Sequence, residues 1–229
     1  MPNFEAHILV SPNEEAKLNE KFSELKKAIN SKVHVVNVRP MATITTTGIN
    51  PRQPMITYIV TNETDESVKN ITDTIKSIMV QPPFELNVVR FKIEQLLSGD
   101  HPELKVTGDE YFESHVKIGK TLPNDDEYRK MATICLKYGV QLVVNPYSKV
   151  IAPVTTFRKY DATYTEFINL HESLVNDLTN CGYELFKIHL EMGILDTNVH
   201  TDEGWLFKNG CYKTPITEPD ELRLTCPKL

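Results

Sequence analysis

Three short segments put an imidazole two residues from a carboxylate: Glu5-Ala6-His7, Glu113-Ser114-His115 and His189-Leu190-Glu191. A fourth, Arg90-Phe91-Lys92-Ile93-Glu94, repeats the alternation with cations in place of histidine. In an extended chain, residues two apart project to the same face, so each segment presents its polar members together. A carboxylate beside an imidazole selects a tautomer and moves its pKa, which suits general acid–base chemistry. His7 and His115 are therefore the candidate catalytic groups, oriented by Glu5 and Glu113. Arg90, Lys92, Lys117 and Arg158 are candidates for binding phosphate or carboxylate, with His189 and Glu191 on the neighbouring strand. The plainer reading is a solvated sheet face whose alternating charge serves solubility. Histidine is an infrequent residue, and three of them inside strands fit that reading less well.

The elements that must hold these residues follow from hydrophobic periodicity. Residues 4–10 read as a strand, 13–29 as an amphipathic helix opened by Ser11 and Pro12, and 33–47 and 55–61 as strands. A helix capped by Asp65 runs to Gln81-Pro82-Pro83, and 85–95 forms another strand. The order then begins again: strand 111–118, a helix over 124–138 capped by Asn124, strands near 140–145 and 150–158, a helix over 163–180, and strand 183–192. Three segments match in register with this order. They are Phe4–Ile8 with Phe112–Val116, Pro54–Tyr58 with Pro153–Phe157, and Phe91–Glu94 with Phe186–Ile188. The expected fold is α+β, an α/β sandwich: a tandem duplication of ferredoxin-like β-α-β-β-α-β modules with pseudo-two-fold symmetry. The first module covers 1–97, a linker 98–110 and the second module 111–206, leaving an irregular tail at 207–229. The polar open faces of the two sheets are expected to meet in one cleft.

The chain of 229 residues is 40% hydrophobic and 24% charged, enough apolar material for a core, and carries a formal charge of −6. That acidic balance argues against nucleic acid or an anionic membrane surface as partner. No apolar run approaches the roughly 18 residues that span a bilayer, and the first residues lack a signal-peptide pattern. Cys135, Cys181, Cys211 and Cys226 show no metal-binding spacing, so free thiols and a cytoplasmic location are expected. Residues 193–206 gather Asp196, Asn198, His200, Asp202, Glu203 and Trp205. The spacing is not that of an EF-hand, so these are read as turn residues, with Asp196, Asn198 and Trp205 as further candidates for contacting a ligand.

The second half resembles a family of small uncharacterised proteins with an E-x-H strand, an F-V-T-x-R-like strand and a D-x-N…D-x-G-W segment. The positions that carry this are Glu113, His115, Thr156, Arg158, Glu191, Asp196, Asn198, Asp202, Gly204 and Trp205. The resemblance implies a shared site and brings no activity. The two-lobed layout is also similar to the 2H phosphoesterases, although His7-Ile8-Leu9 and His115-Val116-Lys117 lack their hydroxyl residue. Vicinal-oxygen-chelate proteins place His and Glu around a divalent metal, as His7, Glu94, His115 and Glu191 would here, but with a different module order. Phosphate-loop, dinucleotide-binding, nucleophile-elbow and zinc-protease motifs are absent.

The expected function is a hydrolase or transferase acting on a small phosphorylated or nucleotide-like metabolite by His/Glu acid–base chemistry. A non-catalytic module holding a small anionic ligand, and a divalent-metal enzyme of vicinal-oxygen-chelate type, remain open beside it. No cofactor is required by the first reading, and a divalent metal by the last.

Overall fold

In the computed structural model, residues 2–45, 50–119, 125–147 and 152–202 are described. They form eight strands and four helices: β1 Asn3–Val10, α1 Glu15–Asn30, β2 Val36–Thr45, β3 Arg52–Thr61, α2 Asp65–Val80, β4 Val88–Leu96, β5 Tyr111–Ile118, α3 Asp125–Lys137, β6 Gln141–Val144, β7 Pro153–Tyr160, α4 Tyr164–Asn180 and β8 Leu185–Asp196. Asn124, Trp205 and the tail 207–229 lie outside the described residues.

The strands make one closed antiparallel barrel in the order β1-β3-β2-β6-β7-β5-β8-β4. The expectation of two ferredoxin-like sandwiches in tandem, each with an open sheet, is corrected by this closure. Two seams produce it. Strand β4 pairs with β8 from Lys92↔Asp196 to Leu96↔Glu191, and β2 pairs with β6 at Ile44↔Val144 and Thr45↔Val143. A free sheet edge exposes unpaired backbone donors and acceptors, and closing the barrel removes it. The polar faces expected to look across a cleft instead form the inside of the barrel.

Helices cover the outside. Leu18, Leu25 and Ile29 of α1 and Val68, Ile75 and Met79 of α2 pack on Phe4, Ala6, Ile8 and Tyr58. Met131 and Cys135 of α3 and Phe167, Leu174 and Leu178 of α4 pack on Phe112, Ile118 and Phe157. Thr64, not Asp65, caps α2 by accepting from the Ser67 amide. Thr163 and Glu166 form a reciprocal capping box on α4. Phe186 and Ile188, apolar residues of β8, are 70% and 44% exposed because α3 and α4 sit over β6 and β5. No helix among the described residues is long and apolar enough to cross a membrane.

Candidate functional site

The alternation that buries Phe4, Ala6 and Ile8 beneath the helices turns Glu5, His7 and Leu9 into the barrel. Strand β5 does the same with Glu113, His115 and Lys117. Antiparallel register stacks these in rows: His7 lies opposite Thr57 and Lys92, and His115 opposite Thr156 and His189. A register shift in β2, with Asn37 in the left-handed region at φ 56°, precedes Arg39, which also borders the cavity. The barrel thus encloses a cavity of about 680 Å³. Leu9, Met41, Met55, Val143 and Val154 give the cavity an apolar lining, and Glu113, His115, His189 and Glu191 a polar one.

Two His–Thr pairs mirror one another. His7 Nδ1 shares a 2.8 Å hydrogen bond with Thr57 Oγ1, and its Nε2 lies 3.1 Å from Glu94. His115 Nδ1 shares a 2.8 Å hydrogen bond with Thr156 Oγ1, while its Nε2 lies 2.9 Å from Glu113 and 3.3 Å from Glu191. Burial opposes charge on His115, but Glu113 and Glu191 overcome it and push its pKa up to about 10. Its cross-strand neighbour His189 moves the other way, down to about 4, through burial and the nearby charge of Lys187. At neutral pH the row therefore pairs an imidazolium with a neutral imidazole.

The carboxylates also differ. Glu113 is buried, yet Arg158, Lys92 and His115 hold it well below the usual carboxylate range. Glu94 falls to about 2 against its burial, because Lys92 donates to it at 2.8 Å. Glu191 goes up: burial and repulsion from Glu94 outweigh the pull of His115. Its Oε2 is fully enclosed and accepts no well-formed hydrogen bond among the described residues. His189 makes none either, its Nδ1 standing 4.0 Å from Glu191.

Below the cavity an ion-pair network closes the barrel. Arg90 binds Asp196 through two contacts and Asp202 at 2.8 Å. Arg158 donates to Glu113, and to Asp202 at 2.6 Å. Arg158 also lies 4.2 Å over the Tyr111 ring. Asp202 arrives on a short turn, Val199–Asp202, that folds back after β8, and Gln53 donates to it at 3.0 Å. Arg158 and Arg90 hold its pKa down at about 2 despite burial.

Of the residues nominated from sequence, His7, His115, Glu5, Glu113, Arg90, Lys92, Lys117, Arg158, His189 and Glu191 all border the cavity. Asp196 and Asn198 do not. Asp196 binds Arg90 and the Asn198 amide, and Asn198 reaches the Val89 carbonyl. Trp205 is outside the described residues. Sequence reading did not nominate Arg39, which pairs with Glu5 at 3.0 Å, nor Tyr111, whose hydroxyl lies 3.3 Å from Glu94 and Asp196. Arg39 sits past a bulge that breaks simple alternation. Tyr111 does share the inward face of Glu113 and His115, which was the available signal.

Two donor sets have atoms within 4.8 Å of one another, Glu5–His189–Glu191 and Glu113–His115–Glu191. Arg39 stands on Glu5, Arg158 and Lys92 stand on Glu113, and His115 carries a proton. Fixed positive charge beside the donors disfavours a dication, so neither is assigned as a metal site.

No protein-family model matches the chain, and no curated protein matches it. Among solved structures it is similar to a putative monooxygenase from Fusobacterium nucleatum, with 12% identity, coverage of 90% of this chain and 97% of that one, and a TM-score of 0.34. A chlorite dismutase from Candidatus Nitrospira defluvii matches with 11% identity, 84% and 91% coverage, and a TM-score of 0.30. A putative monooxygenase from Lactobacillus acidophilus matches with 11% identity, 89% and 97% coverage, and a TM-score of 0.28.

The geometry of the barrel interior corrects the functional expectations. Two-histidine phosphoester chemistry needs both imidazoles free to reach one phosphate, but His7 and His115 have both ring nitrogens engaged by Thr and Glu. A module built to hold an anion on Arg90 and Arg158 is overturned because both guanidiniums are matched by buried carboxylates. The vicinal-oxygen-chelate arrangement is overturned because His7 and Glu94 belong to neither donor set.

Proposed function

We propose that the barrel is an enzyme that moves a proton on a small organic molecule with a mainly apolar body. Glu191 is the base and His189 the group that hydrogen-bonds the substrate. The observation that carries this reading is Glu191, a carboxylate 2% exposed, bordering the cavity and lacking a well-formed hydrogen bond on Oε2. A buried carboxylate in a native protein is ordinarily satisfied, and one left unsatisfied beside a cavity calls for a role. Surroundings that disfavour its charge also favour its accepting a proton.

The reaction class is abstraction of a proton from carbon next to a carbonyl. The C–H bond breaks, an O–H bond forms on Glu191, and the electron pair moves onto the carbonyl oxygen as an enolate. The proton then returns to a different atom of the same molecule. His189, neutral at pH 7, donates to that oxygen. The cationic His115 faces Glu191 at 3.3 Å and favours the ionised carboxylate that accepts the proton. The wall of Leu9, Met41, Met55, Val143 and Val154 takes the apolar body, and methionine adapts to irregular shapes. A cytoplasmic location belongs to the same proposal, supported by the free thiols of Cys135 and Cys181.

Deuterium incorporation from heavy water into a panel of aryl and alkyl ketones, including 5-oxo-5-phenylpentanoate, followed by NMR, tests it. Exchange next to the carbonyl should exceed the buffer rate and fall about 10²–10⁴-fold in Glu191→Gln. Exchange that is unchanged in Glu191→Gln, or no faster than in buffer across the panel, refutes the reading.

A further inference from the structure

We infer that the apolar body of the substrate is an aromatic ring, received by Met41 and Met55. The inference rests on the proton-transfer reading above and adds the chemical class of the molecule. Leu9, Met55 and Met41 are direct cross-strand partners on the adjacent strands β1, β3 and β2, so they form one row. All three border the cavity. Their chain neighbours Ile8, Ile56 and Ala42 turn the other way and are fully buried, which fixes the inward direction of the row.

Leucine and valine alone would suit an alkyl chain equally well, and the paired methionines are what distinguish this lining. A thioether is polarizable and makes favourable contacts with an aromatic ring, its sulfur about 5 Å away and often at the ring edge. Direct cross-strand partners hold their Cβ atoms about 4.5–5.5 Å apart, so both sulfurs can reach one ring. Strands spaced about 4.8 Å apart make the row about 10 Å wide, room for a single ring with Leu9 beside it. Leu9 and Met55 are 1% and 3% exposed, so a ring lying on them leaves water.

The row also stands close to the groups that hold the carbonyl. Met41 lies two residues beyond Arg39 on β2, in unbroken register with β3, and so on the same face. Arg39 pairs with Glu5, whose carboxylate comes within 4.8 Å of His189. Two residues along a strand rise about 7 Å. The ring therefore sits directly on the carbonyl carbon or within a few bonds of it, which describes an aryl ketone.

Calorimetry with 1-phenylbutan-1-one and 1-cyclohexylbutan-1-one tests the assignment. The cyclohexyl compound has the larger apolar surface, so a lining that acts by burial alone would bind it at least as tightly. The wild-type protein should instead bind the phenyl ketone about threefold or more tightly. Methionine to leucine conserves volume, and the double variant Met41→Leu, Met55→Leu should bring the two affinities together. If the double variant fails to fold, the single change Met41→Leu should narrow the margin. Equal or reversed affinities in the wild type, no binding of either ketone, or a margin that survives the substitutions overturns the inference. A margin without deuterium exchange would refute the proton-transfer step and leave the aromatic assignment standing.

Discussion

The proton on His115 ties the stability of the barrel to pH on the alkaline side. Its ring is bound at Nδ1 by Thr156, and its Nε2 faces Glu113 at 2.9 Å and Glu191 at 3.3 Å. Burial works against the charge, but the carboxylates raise the pKa from 6.5 to about 10. A group raised on folding contributes stability that is fully present below its unfolded pKa, near 6.5, and lost as pH climbs through its folded pKa. At 1.36 kcal/mol per pH unit, that interval corresponds to about 5 kcal/mol. The side chain is 28% exposed, so water screens part of the interaction. The contribution expected is about 2–3 kcal/mol. In His115→Gln the amide still hydrogen-bonds Thr156 but does not titrate. Urea unfolding of both proteins should show the wild-type advantage shrinking by about 2–3 kcal/mol between pH 6.5 and 10. Lysines and tyrosines titrating in that range are common to both proteins and cancel in the difference. An advantage that stays constant with pH, or an NMR titration placing this imidazole near 6.5, refutes the reasoning.

Two further substitutions probe what holds the site in shape. A Cβ on Gly193 would come within 2.4 Å of the Tyr111 ring, so Gly193→Ala should displace that ring from Arg158 and cost about 1–3 kcal/mol or more, read as a lower Tm. Asp202→Asn takes the charge away from Arg90 and Arg158, each 1–2% exposed at the side chain, and should cost about 3–5 kcal/mol near pH 7. Because the Asp202 pKa is lowered from 3.8 to about 2, its contribution exists above pH 4 and is lost as pH falls toward 2. The Tm gap between the variant and wild type should therefore narrow from pH 5 to pH 2.5.

Period-two patterning was enough to tell which side chains share a face. Glu5 with His7, Glu113 with His115, and His189 with Glu191 all turn inward, because a strand leaves no other choice once its opposite face is buried. Closure was not legible. It depends on pairing between β2 and β6 and between β4 and β8, strands separated by about a hundred residues, and the side chains there do not advertise their partners. The same absence of neighbour information makes Phe186 and Ile188 look like core residues in sequence. Their apolar character fitted a core, but the helices that would cover them lie over other strands. The roles of His7 and His115 were misread for a related reason. Sequence shows a histidine beside a glutamate, whereas Thr57 and Thr156, which occupy the remaining ring nitrogens, come from strands about forty to fifty residues away.

Closing the barrel changes what the shared charges can do. On an open face each would sit in water and cost little to leave unmatched. Inside the barrel an unmatched charge is expensive, and the chain answers by pairing nearly every one: Glu5 with Arg39, Glu94 with Lys92, Glu113 with Lys92 and Arg158, Asp196 and Asp202 with the arginines. Glu191 stands apart. Its cationic neighbour among the described residues, His115, lies closer to Glu113, and Glu94 repels it. Such a carboxylate is stabilised by taking up a proton, and the cavity beside it is where that proton can come from. Chemistry is therefore expected at the place where internal charge matching fails, which moves the centre from the paired histidines His7 and His115 to Glu191 and His189.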